Sequence, residues 1–295
     1  MKKLPDSQQI RGKAYKRVHV AEIYTMHVAS DCYHPHSLFC FVYVMRVSVE
    51  TSVARHIGDR KEQQDRVAVL THPSHPGALL IALADGMGGH SGGAMAAEQI
   101  ILAAQQNLES FSPATEQPTQ LLSAVVQDAH SSIRLSRFTS EQDPHSTLVA
   151  FMLFRGQAHW VHCGDSRLYH FRGRKVMMRT RDHSLVGELQ RRGKLTAEEA
   201  LYHPQRNVLV SCLGSDRTPL AESGSCESVV AGDCFLLCSD GLWNFFSDEE
   251  LADTLVDLSA NEAAQRLLDL ARKRAKGNGD NISLAIVRFV AAAQG

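Results

Sequence analysis

A chain of 295 residues, 44% of them hydrophobic, can bury a large core as one sizeable domain with an appendage. The formal net charge of −1 removes the electrostatic argument for a nucleic-acid partner or an anionic membrane surface, and no segment is a polybasic arm. The seven cysteines are irregularly spaced, and the closest pair, Cys234 and Cys238, sits on one apolar strand-like run, so the thiols read as core residues of a reducing compartment.

Residues 1–36 show no sustained apolar period and mix Lys, Gln, His and Ser, which predicts a poorly ordered N-terminal extension over 1–44, with Met45 as an alternative start. His19, His27, His34 and His36 cluster there without paired ligand spacing, so they are not read as a metal site. The apolar stretch 37–49 is too short to span a bilayer and carries Arg46, and no basic start precedes an apolar run with a cleavage site. A soluble cytoplasmic protein is expected, with the working domain at residues 45–291.

Alternation in Val47, Val49 and Val53 predicts a half-buried strand, and residues 67–70 a second one. After the turn chemistry of residues 72–77, a strand over 78–84 ends at Asp85. Gly86, Gly88 and Gly89 follow, and glycines allow backbone angles and close approaches that a Cβ blocks. Asp65 begins one strand and Asp85 ends the next, so an antiparallel hairpin would bring both carboxylates to one sheet edge. Residues 93–108 and 119–136 predict an antiparallel helical hairpin. Short strands return at 146–154, 157–163 and 167–171 with tight turns between them, which favours antiparallel sheet. Residues 182–214 differ, being polar and helical with a capping signal at Thr196 and Glu199, and read as an inserted subdomain. An apolar strand then ends at Asp240-Gly241, amphipathic helices follow at 248–258 and 261–276, and a final strand covers 282–290.

Apolar runs meet Asp-Gly or Gly-Asp at Asp85, Asp165 and Asp240, and a further Gly-Asp sits at Asp280. With Asp65 added, five carboxylates could converge at one edge. Without a cation they would repel one another and raise their pKa values, and oxygen-only ligands suit hard divalent ions. Taken singly, each Asp is more often an ordinary turn residue.

The set resembles the metal-dependent Ser/Thr protein phosphatases of type 2C, in their bacterial form. Matching stretches are residues 60–65, 85–93, Ser146-Thr147, 163–167, Asp182-His183-Ser184, His203-Pro204 with Arg206-Asn207, Ser239-Asp240-Gly241 and 279–282, in the family's order over about residues 47–290. The resemblance implies an α+β fold: a central antiparallel β-sandwich flanked by antiparallel helix pairs, with the 182–214 segment as a flap. It implies two Mn²⁺ or Mg²⁺ ions held by Asp65, Asp85, Asp240 and Asp280 with the carbonyl of Gly86. A weaker third ion would sit around Asp165 and Asp240, and Arg60 would grip the substrate phosphate. The implied reaction is hydrolysis of phosphoserine and phosphothreonine by a metal-bridging hydroxide. Implied partners are phosphorylated proteins made by a Ser/Thr kinase, with the chain acting as a monomer. Cys163 and Cys238, in apolar surroundings, are read as inert thiols.

Two positions depart from the eukaryotic pattern. Gln64 stands where many members have Glu, which affects tuning of the centre. Met87 stands where a histidine is proposed to protonate the leaving group, so that proton needs another source, metal-bound water or His90, although a His after two glycines more often orders the loop. His203, Arg206 and Asn207 are expected to fix the flap to the body by hydrogen bonds, and Arg191 and Arg192 read as a solvated basic face. The alternatives are a non-catalytic scaffold, which would not need all five carboxylates and Arg60, and a hydrolase of small phosphate esters.

Overall fold

The computed structural model describes residues 16–28, 42–89, 91–138 and 142–292. In chain order the first elements are β1 (Lys16–Val28), β2 (Val42–His56), β3 (Asp65–Thr71), β4 (Leu79–Met87), α1 (Gly92–Ser110) and α2 (Pro118–Ser136). There follow β5 (His145–Ser146), β6 (Leu148–Phe154), β7 (Gln157–Cys163), β8 (Arg167–Arg172), β9 (Lys175–Arg179), α3 (Leu185–Arg191) and α4 (Ala197–Tyr202). The chain closes with β10 (Glu222–Cys226), β11 (Asp233–Cys238), α5 (Asp240–Trp243), α6 (Asp248–Asp257), α7 (Ala260–Ala275) and β12 (Ile282–Ala291).

Two antiparallel sheets result. One has the order β1-β2-β12-β11-β8-β9 and the other β10-β7-β6-β4-β3, with β5 extending the pairing of β6 with β4. β4 shows why its sequence is apolar without a break. Leu79, Ile81 and Leu83 pack between the sheets against Phe151, Phe235 and Phe289. Leu80, Ala82 and Ala84 pack outward against Ala96, Ile100 and Ala104 of α1 and Val125 of α2. Each large side chain buried in this way contributes roughly 1.5–3 kcal/mol. The small Ala face lets α1 lie close to the strand. On the other side, Leu255, Leu267 and Leu268 of α6 and α7 cover Leu236, Leu284 and Ile286. The helix-sheet-sheet-helix layering is the architecture the sequence predicted.

Three strands escaped the sequence reading. No element was expected over residues 1–36, yet Lys16–Val28 pairs antiparallel with β2, Lys16 opposite Val53 and Val28 opposite Val42. The strand extends the edge of the sheet beyond β2. β9 and β10 are five-residue edge strands of mixed polarity, where a period of two is hardest to read. His34, His36 and His90 lie outside the described residues.

The flap forms α3 and α4, and Thr196 and Glu199 cap α4 reciprocally as read from the sequence. Its attachment is different from the one expected. His203 accepts from the Gln205 amide (3.2 Å) and Arg206 donates to the Leu201 carbonyl (3.0 Å), both within the flap, while Asn207 is exposed. Leu185 N–H to Val208 O and Val210 N–H to His183 O, each 2.8 Å, tie the two ends of the flap together, and the bonds to the body run through His183, whose amide donates to the Gly164 carbonyl (2.9 Å) and whose Nδ1 accepts from the Gly164 amide (3.2 Å). Arg191 and Arg192 both pair with Glu188 on the exposed face of α3, as a solvated face would.

Candidate active site

Asp65 and Asp85 stand directly opposite each other at the open end of the β3–β4 hairpin. β11 runs into Ser239 and Asp240, and Asp280 lies two residues before the start of the neighbouring β12. Ser239 stitches the two sheets there: its Oγ donates to Asp65 Oδ2 (2.8 Å) and accepts from the Ser283 amide (3.0 Å). Asp165 enters from the β7–β8 turn, and the Trp243 Nε1–H of α5 donates to its carbonyl (3.0 Å). Asp85 is fixed by its backbone, with its amide donating to Thr147 Oγ1 (3.1 Å) and its carbonyl accepting from the Thr147 amide (2.9 Å).

The electrostatics confirm that these carboxyls share one place. Burial, followed by repulsion from Asp65, Asp240, Asp165 and Asp280, pushes Asp85 well above the usual carboxylate range. Burial also pushes Asp65 up to about 7, with Asp240 and Asp280 adding to it. Asp165 rises to about 8 from burial and the nearness of Asp240 and Asp182, and Asp240 to about 6 from burial and Asp280. Asp65 Oδ1 is buried without a hydrogen-bond partner. An orphaned carboxylate oxygen among repelling acids is the donor arrangement that a hard divalent cation satisfies.

Glycines bring backbone close to this edge. A Cβ on Gly86 would lie 1.9 Å from the Gly93 carbonyl oxygen and 2.9 Å from that of Gln64, and one on Gly241 would lie 2.0 Å from the Asn281 carbonyl oxygen. Gly86→Ala is therefore expected to cost about 1–3 kcal/mol or more of stability and to depress activity with it, read by urea unfolding beside a rate assay. A wild-type unfolding midpoint would contradict the close approach.

Arg60, at the rim, donates to Asp280 Oδ2 at 2.5 Å. Asn281 clasps its loop: Nδ2 donates to the carbonyls of Ile57 (2.8 Å) and Glu62 (2.9 Å), and Oδ1 accepts from the Gln64 amide (2.7 Å). On the flap side, Arg167 makes a two-pronged bond to Asp182 (2.8 and 2.7 Å) and lies 3.4 Å over the Trp243 ring. The base of the flap is thereby tied to the segment that carries Asp240.

A second group, His162, His183 and Glu222, has donor atoms within 4.8 Å of one another. The two rings are stacked, 4.6 Å apart and 29° from parallel, so their in-plane lone pairs run side by side rather than converge. His183 Nδ1 accepts from the Gly164 amide (3.2 Å), and burial and the neighbouring His162 push its pKa down to about 4. This pair anchors the flap to the Asp165 turn. Burial pushes the Cys163 thiol up to about 12 and that of Cys238 higher still, in keeping with inert thiols.

All seven site residues expected from the sequence, Arg60, Asp65, Asp85, Gly86, Asp165, Asp240 and Asp280, fall on or beside this sheet edge. The sequence reading missed the supporting shell of Ser239, Trp243, Asn281 and the Arg167–Asp182 pair. Ser239 and Asn281 lie within the recognised stretches, and adjacency to a ligand-type Asp was the signal available. Trp243 has no such signal, because its link to Asp165 spans 78 residues.

Comparison with known proteins agrees with this geometry. The family model of protein phosphatase 2C matches residues 54–273. The serine/threonine protein phosphatase PstP of Mycobacterium tuberculosis is 35% identical over 220 residues, which is 73% of this chain and 41% of PstP. Protein phosphatase PhpP of Streptococcus pneumoniae is 31% identical over 249 residues, 82% of this chain and 97% of PhpP. The chain thus spans less than half of PstP and nearly all of PhpP. Among solved structures, the catalytic domain of PstP in complex with two manganese ions superposes with a TM-score of 0.71 at 29% identity, covering 83% of this chain and 99% of that one. A sandwich whose strand ends gather five acids, matched over most of its length by this one family, is settled in its kinship: the chain belongs to the protein phosphatase 2C family.

Proposed function

We propose that this chain is a metal-dependent protein serine/threonine phosphatase, with residues 45–291 as its catalytic domain. The observation that carries the reading is the convergence of mutually repelling, partly exposed carboxyls on the buried Asp65 and its orphaned Oδ1. Asp65, Asp85, Asp240, Asp280 and the Gly86 carbonyl would hold two Mn²⁺ or Mg²⁺ ions, and Asp165 with Asp240 a weaker third. The absence of nitrogen and sulfur donors from this set favours those hard cations, and the two manganese ions of the PstP structure support the number. When bound, such ions acidify water and neutralise charge on a transferring phosphoryl group.

The protein residues do the rest. Arg60, 62% exposed at the rim, offers a planar fork to the phosphate oxygens. Ser239 holds Asp65 in one orientation, and Asn281 keeps the Arg60 loop against the Asp280 loop. The flap, rooted by Arg167–Asp182 and His183, stands beside the site where a protein substrate would lie. No helix among the described residues is long and apolar enough to cross a membrane. We read the chain as a monomeric cytoplasmic enzyme whose partners are phosphoproteins made by a Ser/Thr kinase.

The test is phosphate release from a phosphothreonine peptide with Mn²⁺, with Mg²⁺ and with chelator. Activity that appears with either cation and vanishes with chelator is expected. Equal rates in all three, or none in any, would overturn the reading.

A further inference from the structure

We infer that His145 is the general acid that protonates the departing serine or threonine oxygen; this rests on the phosphatase reading above. An alkoxide leaves poorly unless a proton reaches it as the bond to phosphorus breaks. The five acids supply charge, and Met87 beside them has no proton to give.

The placement follows from strand register. Leu83 pairs with Val149, Gly86 with Ser146 and Met87 with His145, a constant offset, so β5 and β6 run beside β4 without a slipped residue. Leu79, Ile81 and Leu83 of β4 face the sandwich interior, as do Val149, Phe151 and Leu153 of β6. Alternation then puts Asp85 and Met87 of one strand, and Thr147 and His145 of the other, on that same face. His145 is the rung beyond Asp85, at the open end where the carboxyls gather.

The ring is held for the task. Its Nδ1–H donates to the Asp143 carbonyl at 2.9 Å, which leaves Nε2 as the nitrogen free of that bond. The same carbonyl lies against the glycine loop that follows Asp85, since a Cβ on Gly88 would come within 2.3 Å of it. The side chain is 21% exposed, open enough to exchange protons with water. The charged groups around it are the Asp143 carboxylate, 3.9 Å from Nδ1, Arg137 paired with Asp143 (2.6 Å) and with Asp216 (2.8 Å), and Asp85 across the strand pair.

The step balances. A water oxygen forms the new bond to phosphorus, and the bond from phosphorus to the seryl or threonyl oxygen breaks with its electron pair remaining on that oxygen. The Nε2 proton passes to it and gives the neutral alcohol. The proton released by the attacking water returns to the imidazole through solvent.

The test compares wild type, His145→Asn and His90→Gln on a phosphothreonine peptide and on p-nitrophenyl phosphate, with Mn²⁺, across pH. Asn at 145 can still donate to the Asp143 carbonyl, so it separates proton donation from anchoring, and thermal melting checks its fold. p-Nitrophenolate leaves without a proton. His145→Asn is expected to lose at least about 100-fold on the peptide and far less on p-nitrophenyl phosphate, and to lose the alkaline fall in peptide kcat shown by wild type. Equal losses on both substrates, wild-type rates on both, or this selective loss in His90→Gln instead, would overturn the inference. A wild type that hydrolyses neither substrate would overturn the phosphatase reading itself.

Discussion

Asp240→Asn is expected to lower phosphothreonine-peptide hydrolysis by about 10³-fold and, in the same protein, to raise the melting temperature measured in chelator. The first effect follows from removing a charged ligand shared by the proposed cations. The second follows from the cost of the bare cluster. Asp65, Asp165 and Asp240 are pushed up to about 7, 8 and 6, whereas unfolded Asp ionises near 3.9. Between those values the folded chain holds protons that the unfolded chain has released. Metal-free stability therefore falls as pH rises from about 4 toward 8, and below about 4 the penalty is absent. Replacing one acid by an amide removes part of the repulsion, and each kcal/mol regained is about 2–4 °C in a domain of this size. Excess Mn²⁺ should reverse the order, because ligand that binds only the folded state stabilises wild type more. Melting curves at pH 5, 6, 7 and 8, with chelator and with Mn²⁺, check both signs. A variant that melts below wild type in chelator would contradict the account.

Asp233→Ala is expected to be the most destabilising single change away from the cluster, by about 3–5 kcal/mol. Asp233 is fully buried at the start of β11 and accepts from His170 Nε2 (3.1 Å), Arg172 Nε (2.7 Å) and Nη2 (3.1 Å), and the Val230 amide (2.8 Å). Burial alone would raise its pKa, but the bonds from His170 and Arg172 outweigh burial and hold it at about 2. The pair therefore contributes stability above about pH 4 that is lost as pH falls through about 2. Truncation strands the His170 ring, which is stacked 4.3 Å from Phe235 inside the sandwich. Asp233 lies at the end of β11 opposite Asp240, so catalysis per folded molecule at low temperature should survive. Guanidinium unfolding beside a rate measured at 15 °C separates the two. A midpoint within 0.5 kcal/mol of wild type would refute the assignment.

Much of this was legible from residue order alone, for a physical reason. β4 is buried on both faces, so it must be apolar throughout, and an acid that ends such a run stands out as Asp85 does. The same contrast marks Asp240 after Cys238. The Asp65–Asp85 register was readable because the turn at residues 72–77 leaves a single compact hairpin pairing. What was not legible was whatever depends on side chains meeting across the fold. The flap's anchorage passed to His183 rather than to His203 and Arg206, because Gly164 and His183 are brought together by packing of distant segments. Trp243 was equally silent. β9 and β10 stayed hidden because edge strands answer to solvent on one side and need no strong apolar period.

The open end of the β3–β4 hairpin has a consequence for how the molecule breathes. That rung carries two acids, and it is held from outside by Thr147 on the Asp85 backbone and by Ser239 on the Asp65 carboxylate. Where both are ionised, Asp65 and Asp85 repel each other, and a bound cation would hold the same rung together. Cation supply would thus set how often this edge of the sandwich opens, and amide exchange at Arg66 and Ala84 becomes a gauge of it. The doorway for substrate and the rung that the cations would hold are one place.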